Sequence, residues 1–114
     1  MTESLKNAKA NEFPHAPGGW SREMAQAKAE EEGLVPQADH WQAVRALQEY
    51  YARHEPKRIN PRELHDALEE RFHRQGGMRY LYQLFPGGPV AQGCRIAGLN
   101  PPAGAVDRGF GSVV

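Results

Sequence analysis

The chain has 114 residues, which suits one small domain, and alanine makes up much of its 39% hydrophobic content, so we expect a thin core. Its 14 basic and 14 acidic side chains balance, which argues against a dedicated nucleic-acid binder and against an electrostatic membrane anchor. No apolar run approaches a transmembrane length, the N-terminus lacks a signal-peptide pattern, and one cysteine cannot form an intrachain disulfide. We therefore expect a cytoplasmic monomer.

The first third of the chain predicts an arm followed by a helix. Residues 1–19 are polar and end in a cluster of prolines and glycines, which indicates a flexible N-terminal arm. Ser21 is a typical N-cap for a first helix over residues 22–32, and Gly33 is a plausible stop. The three carboxylates at the end of this helix are predicted to be solvated: Glu30, Glu31 and Glu32.

Two longer helices follow. Asp39, with Gln42 three residues on, fits a capping box for a second helix that runs to about residue 54. Asn60 and Pro61 predict the start of a third helix, with Glu63 reaching back to the cap, and this helix should end near residue 75. Apolar residues at helical spacing give each helix one buried face: Trp41, Val44, Leu47 and Tyr51 in the second, and Leu64, Leu68 and Phe72 in the third.

The last third of the chain predicts two short helices and a tail. The fourth helix is expected over residues 78–85, and the fifth begins after Pro89 and stops near Gly98. Prolines and glycines dominate residues 100–114, which we expect to form a flexible C-terminal tail. The sequence has no convincing strand pattern. We therefore predict an all-α class, with about five short helices crossing in a small orthogonal bundle over residues 20–99.

Cys94 is the only sulfur nucleophile of the chain. A reactive thiol needs exposure and nearby positive charge, which Arg95 and Arg79 could supply, although the position of Cys94 in its helix disfavours an anion. The alternative is an inert, buried cysteine that packs as a small hydrophobic residue. Spacing alone leaves both interpretations open.

Basic residues and histidines complete the candidate groups. Lys57, Arg58 and Arg62 cluster at the start of the third helix, where they could hold an anionic partner or form a solvated surface. The five histidines show no metal-binding spacing, so we expect no metal and no cofactor, and we expect the histidines to be solvent-exposed or capping. Helices two and three could mimic a helix-turn-helix, which leaves a nucleic-acid regulator as a minor alternative.

Three stretches resemble one known family. Asp39-His-Trp41, Arg79-Tyr-Leu-Tyr-Gln-Leu-Phe-Pro-Gly-Gly-Pro89 and Cys94-Arg-Ile-Ala-Gly-Leu99 are similar to the TusE/DsrC/DsvC sulfur carriers, over residues 20–106. The resemblance implies a small helical fold, a flexible C-terminal arm, and transport of sulfur as a persulfide or as a trisulfide between two tail cysteines. It implies TusBCD- or DsrEFH-like sulfur-transfer proteins, or sulfite reductase, as partners.

The chain departs from the family pattern at its carrier end. The upstream family cysteine matches Cys94, but the penultimate cysteine matches Ala105, and the chain then continues from Asp107 to Val114. Alanine cannot form a persulfide, and a single thiol cannot form an internal trisulfide.

Two functions follow from this pattern. One is a sulfur-relay carrier that accepts and donates sulfur through Cys94, as a protein substrate and not a turnover enzyme, in a sulfite-reductase-associated or tRNA 2-thiouridine pathway. Lys57, Arg58, Arg62, Arg79 and Arg95 would then meet the partner. The other is a non-catalytic docking or regulatory paralogue that has lost persulfide transfer.

Overall fold

Five α-helices make up the fold. The computed structural model describes residues 12–102, and within that range no strand is present. The helices are α1 (Arg22–Glu31), α2 (Ala38–Arg53), α3 (Pro61–Arg71), α4 (Gly77–Leu84) and α5 (Ala91–Ala97), with 3-10 turns at Pro56–Arg58 and His73–Gln75. The predicted all-α class is confirmed. Those parts of the two predicted arms that fall in residues 1–11 and 103–114 lie outside the described residues.

Most predicted helix ends hold in the structure. The Ser21 hydroxyl accepts from the Met24 amide at 3.1 Å, and the Asn60 side chain accepts from the Glu63 amide at 2.8 Å. Gly33 and Gly98 have φ angles of +84° and +79° just beyond α1 and α5. Residues with a Cβ avoid this left-handed region, so these glycines end their helices as predicted.

The start of α2 differs from the prediction. Gln37 is the N-cap, and the Nδ1 atom of His40 accepts from the Gln37 amide at 2.9 Å. Asp39 lies inside the helix, where its carboxylate accepts a hydrogen bond from the Tyr80 hydroxyl of α4. The predicted cap at Asp39 is therefore wrong, because His40 satisfies the N-cap amide and starts the helix earlier.

The third helix also differs in detail. Helix α3 ends at Arg71, and the chain then tightens into the 3-10 turn that reaches residue 75. The Glu63 carboxylate accepts from the Tyr50 hydroxyl of α2 at 2.8 Å, a tertiary contact that takes the place of the predicted return to the cap.

Helix α2 packs against both α3 and α5, while α1 covers α5 and α4 packs on α3. The predicted apolar faces are buried at Trp41, Val44, Leu47, Leu64, Leu68 and Phe72. Phe13 is buried as well, edge-on to Trp20 and Trp41 with ring centroids 4.9 and 6.0 Å away, so packed residues begin ahead of Trp20. None of the helices in residues 12–102 is long and apolar enough to cross a membrane.

Candidate functional site

Helix α5 carries the only thiol, and the turn before it fixes where the helix begins. The Gly88 amide donates to the Phe85 carbonyl at 2.8 Å, and the Gln92 side chain accepts from the Gly87 amide at 2.8 Å. Cys94 lies in the middle of this seven-residue helix and is fully buried. It belongs to the same hydrophobic cluster as Leu47.

The Cys94 thiol has a polar partner on α2. Its Sγ donates to the Tyr51 hydroxyl at 3.6 Å, and that hydroxyl donates to the Asn100 carbonyl at 2.6 Å. Tyr51 is half-buried and Asn100 is exposed. The sulfur therefore lies one side chain below the surface, next to the first residues after α5.

Burial is the main influence on the acidity of this thiol. It raises the pKa of Cys94 to about 11, against smaller lowering effects of the Tyr51 hydroxyl and of the Arg95 charge. Burial also raises the pKa of Tyr51, and its hydrogen bond with Cys94 adds to that rise. At neutral pH the resting site therefore holds a protonated thiol beside a protonated phenol, which is the unreactive form of cysteine.

Arg95 is engaged with α1. Its Nε and one Nη donate to the two carboxylate oxygens of Glu32 at 2.9 and 2.8 Å, and the Gln92 amide adds a bond of 3.0 Å. The Arg95 hydrogen bond is the largest effect that holds the pKa of Glu32 below its usual value. The predicted solvated role of Glu32 is wrong, because its side chain is only 6% exposed and ties α1 to α5.

The remaining basic candidates lie on the surface. Lys57, Arg58 and Arg62 are exposed along the α2–α3 connection and the first turn of α3, while Arg79 is exposed on α4.

The hydrogen-bond partner of Cys94 is Tyr51, a residue that the sequence analysis assigned to an apolar stripe. The only signal in the sequence is that Tyr51 lies one turn after Leu47, and that spacing does not reveal a partner 43 residues away.

The histidines of the described residues lie apart from other metal-ligand side chains. Within residues 12–102, no group of three or more His, Cys, Asp or Glu side chains could hold a metal ion. His40 is buried and has a structural role, because one ring nitrogen caps α2 and the other lies 2.8 Å from the Leu84 carbonyl of α4.

The protein is thus a small all-α fold with one thiol. That thiol lies beneath the residues that follow the last helix. The family described as "DsrC like protein" matches residues 3–106. The chain belongs to this DsrC-like family, as the resemblance predicted. Ala105 falls within the matched stretch but outside the described residues, and residues 107–114 lie beyond the match.

Relatives with names give the same assignment. The chain is 40% identical over 84 residues to "Sulfurtransferase TusE" of Salmonella typhimurium, and 38% identical over 84 residues to the protein of that name from Escherichia coli K12. Each alignment covers 73% of this chain and 76% of the relative. No solved structure matches this chain significantly.

Proposed function

We propose that this protein is a sulfur-relay carrier in which Cys94 accepts a sulfur atom from one partner protein and passes it to another. The observation that carries the proposal is that the chain's only thiol lies inside the stretch matching the DsrC-like family. Relatives that match over 73% of this chain bear the name sulfurtransferase. Only the Tyr51 hydroxyl lies between the thiol and the exposed Asn100, so a small movement could open the site, which supports the proposal.

The chemical step is a persulfide exchange. The Cys94 thiolate attacks the outer sulfur of a donor persulfide, an S–S bond forms at Cys94, and the donor's S–S bond breaks. The donor leaves as a thiolate, the proton of Cys94 passes to solvent, and no external oxidant or reductant is needed. The reverse attack by an acceptor thiolate removes the sulfur, so the protein ends unchanged and acts as a substrate of the relay.

The partners we propose are the sulfur-transfer proteins of such a relay, of the TusBCD or DsrEFH-like kind, or sulfite reductase. The exposed basic residues of the α2–α3 connection would face an anionic surface of that partner, assisted by Arg79. Arg95 has a different role, since its guanidinium holds Glu32 and acts on Cys94 only through its charge.

Intact-mass measurement tests the carrier function. The purified chain is incubated with a persulfidated donor protein, and the wild type is expected to gain the mass of one sulfur atom. Cys94→Ala is the matched control and should gain none. A wild-type mass that stays unchanged with every donor would remove the carrier function.

Complete burial of Cys94, together with Ala105 at the family's carrier position, favours a second candidate. In that case the protein is a docking paralogue that keeps the partner surface without transfer. Binding to sulfur-transfer proteins that survives Cys94→Ala, in a chain that gains no sulfur, would support docking. Binding that requires the thiol would support the carrier.

A further inference from the structure

The Tyr51 hydroxyl has one proton and two neighbours that compete for it. Asn100 presents a carbonyl oxygen at 2.6 Å, which can only accept a hydrogen bond. The Tyr51 proton must therefore point at Asn100. The oxygen of Tyr51 then turns its lone pairs to Cys94 Sγ, 3.6 Å away, and can only accept from the thiol.

This geometry favours one protonation state of the sulfur. A thiol has a proton to place on the Tyr51 oxygen, whereas a thiolate would face that oxygen's lone pairs with no proton between them. If Asn100 leaves, the Tyr51 proton can rotate toward the sulfur and donate to a thiolate or a persulfide. While Asn100 is bound, the Tyr51 hydroxyl withholds from the sulfur the hydrogen bond that would lower the pKa of Cys94, and it can supply that bond once Asn100 has left.

The rest of α5 is held in place independently of Asn100. The Trp20 indole donates to the Ile96 carbonyl at 2.9 Å, and the Gln48 amide donates to the Ala97 carbonyl at 3.0 Å. Arg95, the charged group that acts on the thiol, is fixed by Glu32, the C-cap of α1. Leu99 is half-buried against the core, and its amide donates to the Cys94 carbonyl at 2.8 Å. The exposed Asn100 can therefore leave Tyr51 without moving the helix that carries Cys94.

We propose that the Tyr51 hydroxyl and the Asn100 carbonyl form a latch, which keeps Cys94 closed and protonated until Asn100 is drawn away. This inference rests on the proposed function for its purpose, since opening prepares Cys94 to accept sulfur. Tyr51 is a positioning residue in this scheme, and the Asn100 contact is autoinhibitory.

Alkylation of Cys94 by iodoacetamide, followed by intact mass across a pH series, tests the latch. Tyr51→Phe removes the latch hydroxyl, and we expect about fivefold to tenfold faster alkylation, the effect of losing one hydrogen bond. Tyr50→Phe is the matched control, because its hydroxyl bonds to the exposed Glu63 at 2.8 Å and should leave the rate unchanged. Equal rates in wild type and Tyr51→Phe, or equal acceleration in the two variants, would overturn the latch.

A second variant acts on the opposite half of the latch and keeps Tyr51 intact. A Cβ on Gly98 would lie 2.7 Å from Trp20 Cδ1 at a φ of +79°, so Gly98→Ala should displace the chain leading to Asn100 and disturb Trp20. The Gln48 and Glu32 bonds should still hold α5 in place. We expect faster alkylation that sets in at a lower pH than in wild type, because the Tyr51 hydroxyl can now donate to the thiolate. Tyr51→Phe should show a smaller shift, because it removes the acceptor of the thiol proton but supplies no donor to the thiolate, and a Gly98→Ala profile identical to wild type would refute the mechanism.

All rates are compared well below the unfolding temperature of each variant, measured by circular dichroism. The persulfide test separates the two proposals. Alkylation that follows the expected pattern in a chain that gains no sulfur supports the latch and removes the carrier function. Sulfur gain at equal rates in wild type and Tyr51→Phe supports the carrier and removes the latch.

Discussion

Glu32→Gln should destabilise the fold, although its place in a run of three glutamates suggests a solvated side chain of little importance for stability. The Glu32 carboxylate receives two hydrogen bonds from Arg95 and one from Gln92, all between 2.8 and 3.0 Å. The amide of glutamine keeps the size but removes the charge. It also places an NH₂ group where one carboxylate oxygen accepts, so at least one donor loses its partner.

The size of the effect lies between two known limits. Breaking a buried pair costs about 3–5 kcal/mol, and an exposed pair contributes about 0–1 kcal/mol. The Glu32 side chain is 6% exposed and that of Arg95 is 25% exposed, so solvent screens the pair only in part. We expect a loss of about 2 kcal/mol, which lowers the midpoint of thermal unfolding by about 8 °C in a domain of this size.

Thermal unfolding followed by circular dichroism measures this loss, with Glu31→Gln as the matched control. Glu31 is the preceding residue, its side chain is 72% exposed, and its contact with Lys28 is long at 3.4 Å, so its loss should be below about 0.5 kcal/mol. Because the folded pKa of Glu32 is lowered, its contribution is complete above the ordinary glutamate pKa of 4.5 and is lost as the pH falls through the folded value. The gap between wild type and Glu32→Gln should therefore close in acid. Equal losses in the two variants, or a gap that persists in acid, would refute the reasoning.

Three further changes have expected outcomes in the same unfolding assay. Gly93→Ala should cost about 1–3 kcal/mol, because a Cβ would lie 2.8 Å from Leu47 Cδ1 between α2 and α5, whereas Gly18→Ala meets nothing within 4 Å and should be neutral. Asn60→Ala should cost about 1 kcal/mol through loss of the α3 cap, and Asn60→Gly should cost less. His40→Ala should cost about 2 kcal/mol, because it removes the cap of α2 and leaves the buried Leu84 carbonyl without its partner.

The helices were predictable because their signals are local. Ser21, Asn60 and Gly98 act on backbone groups within a turn of themselves, and the apolar faces of α2 and α3 repeat at the helical period. The predicted start of α2 was wrong because a long-range contact also acts there. Asp39 is a better isolated cap than Gln37, but the contact with Tyr80, 41 residues away, uses its carboxylate elsewhere.

The site was less predictable because its contacts are long-range. Cys94 and its basic neighbour stand out in the sequence, but nothing local pairs the thiol with Tyr51 or the guanidinium with Glu32, 63 residues away. Both pairings follow from the packing of α5 between α1 and α2. Packing against α2 also buries the thiol, which determines its acidity more than the adjacent arginine does.

The arrangement of tethers limits how sulfur could reach Cys94. A donor must approach Sγ along the line of the S–S bond it offers, and the resting sulfur has no exposed surface. On the side of α1, Arg95 is held by a bidentate ion pair, and on the side of α2, Gly93 is packed against Leu47. Tyr51, the third neighbour of Cys94, is held differently, because its hydroxyl donates only to the carbonyl of the exposed Asn100. If Cys94 accepts sulfur, that contact must open first, so Tyr51→Phe should accelerate sulfur gain by the same factor as alkylation by iodoacetamide.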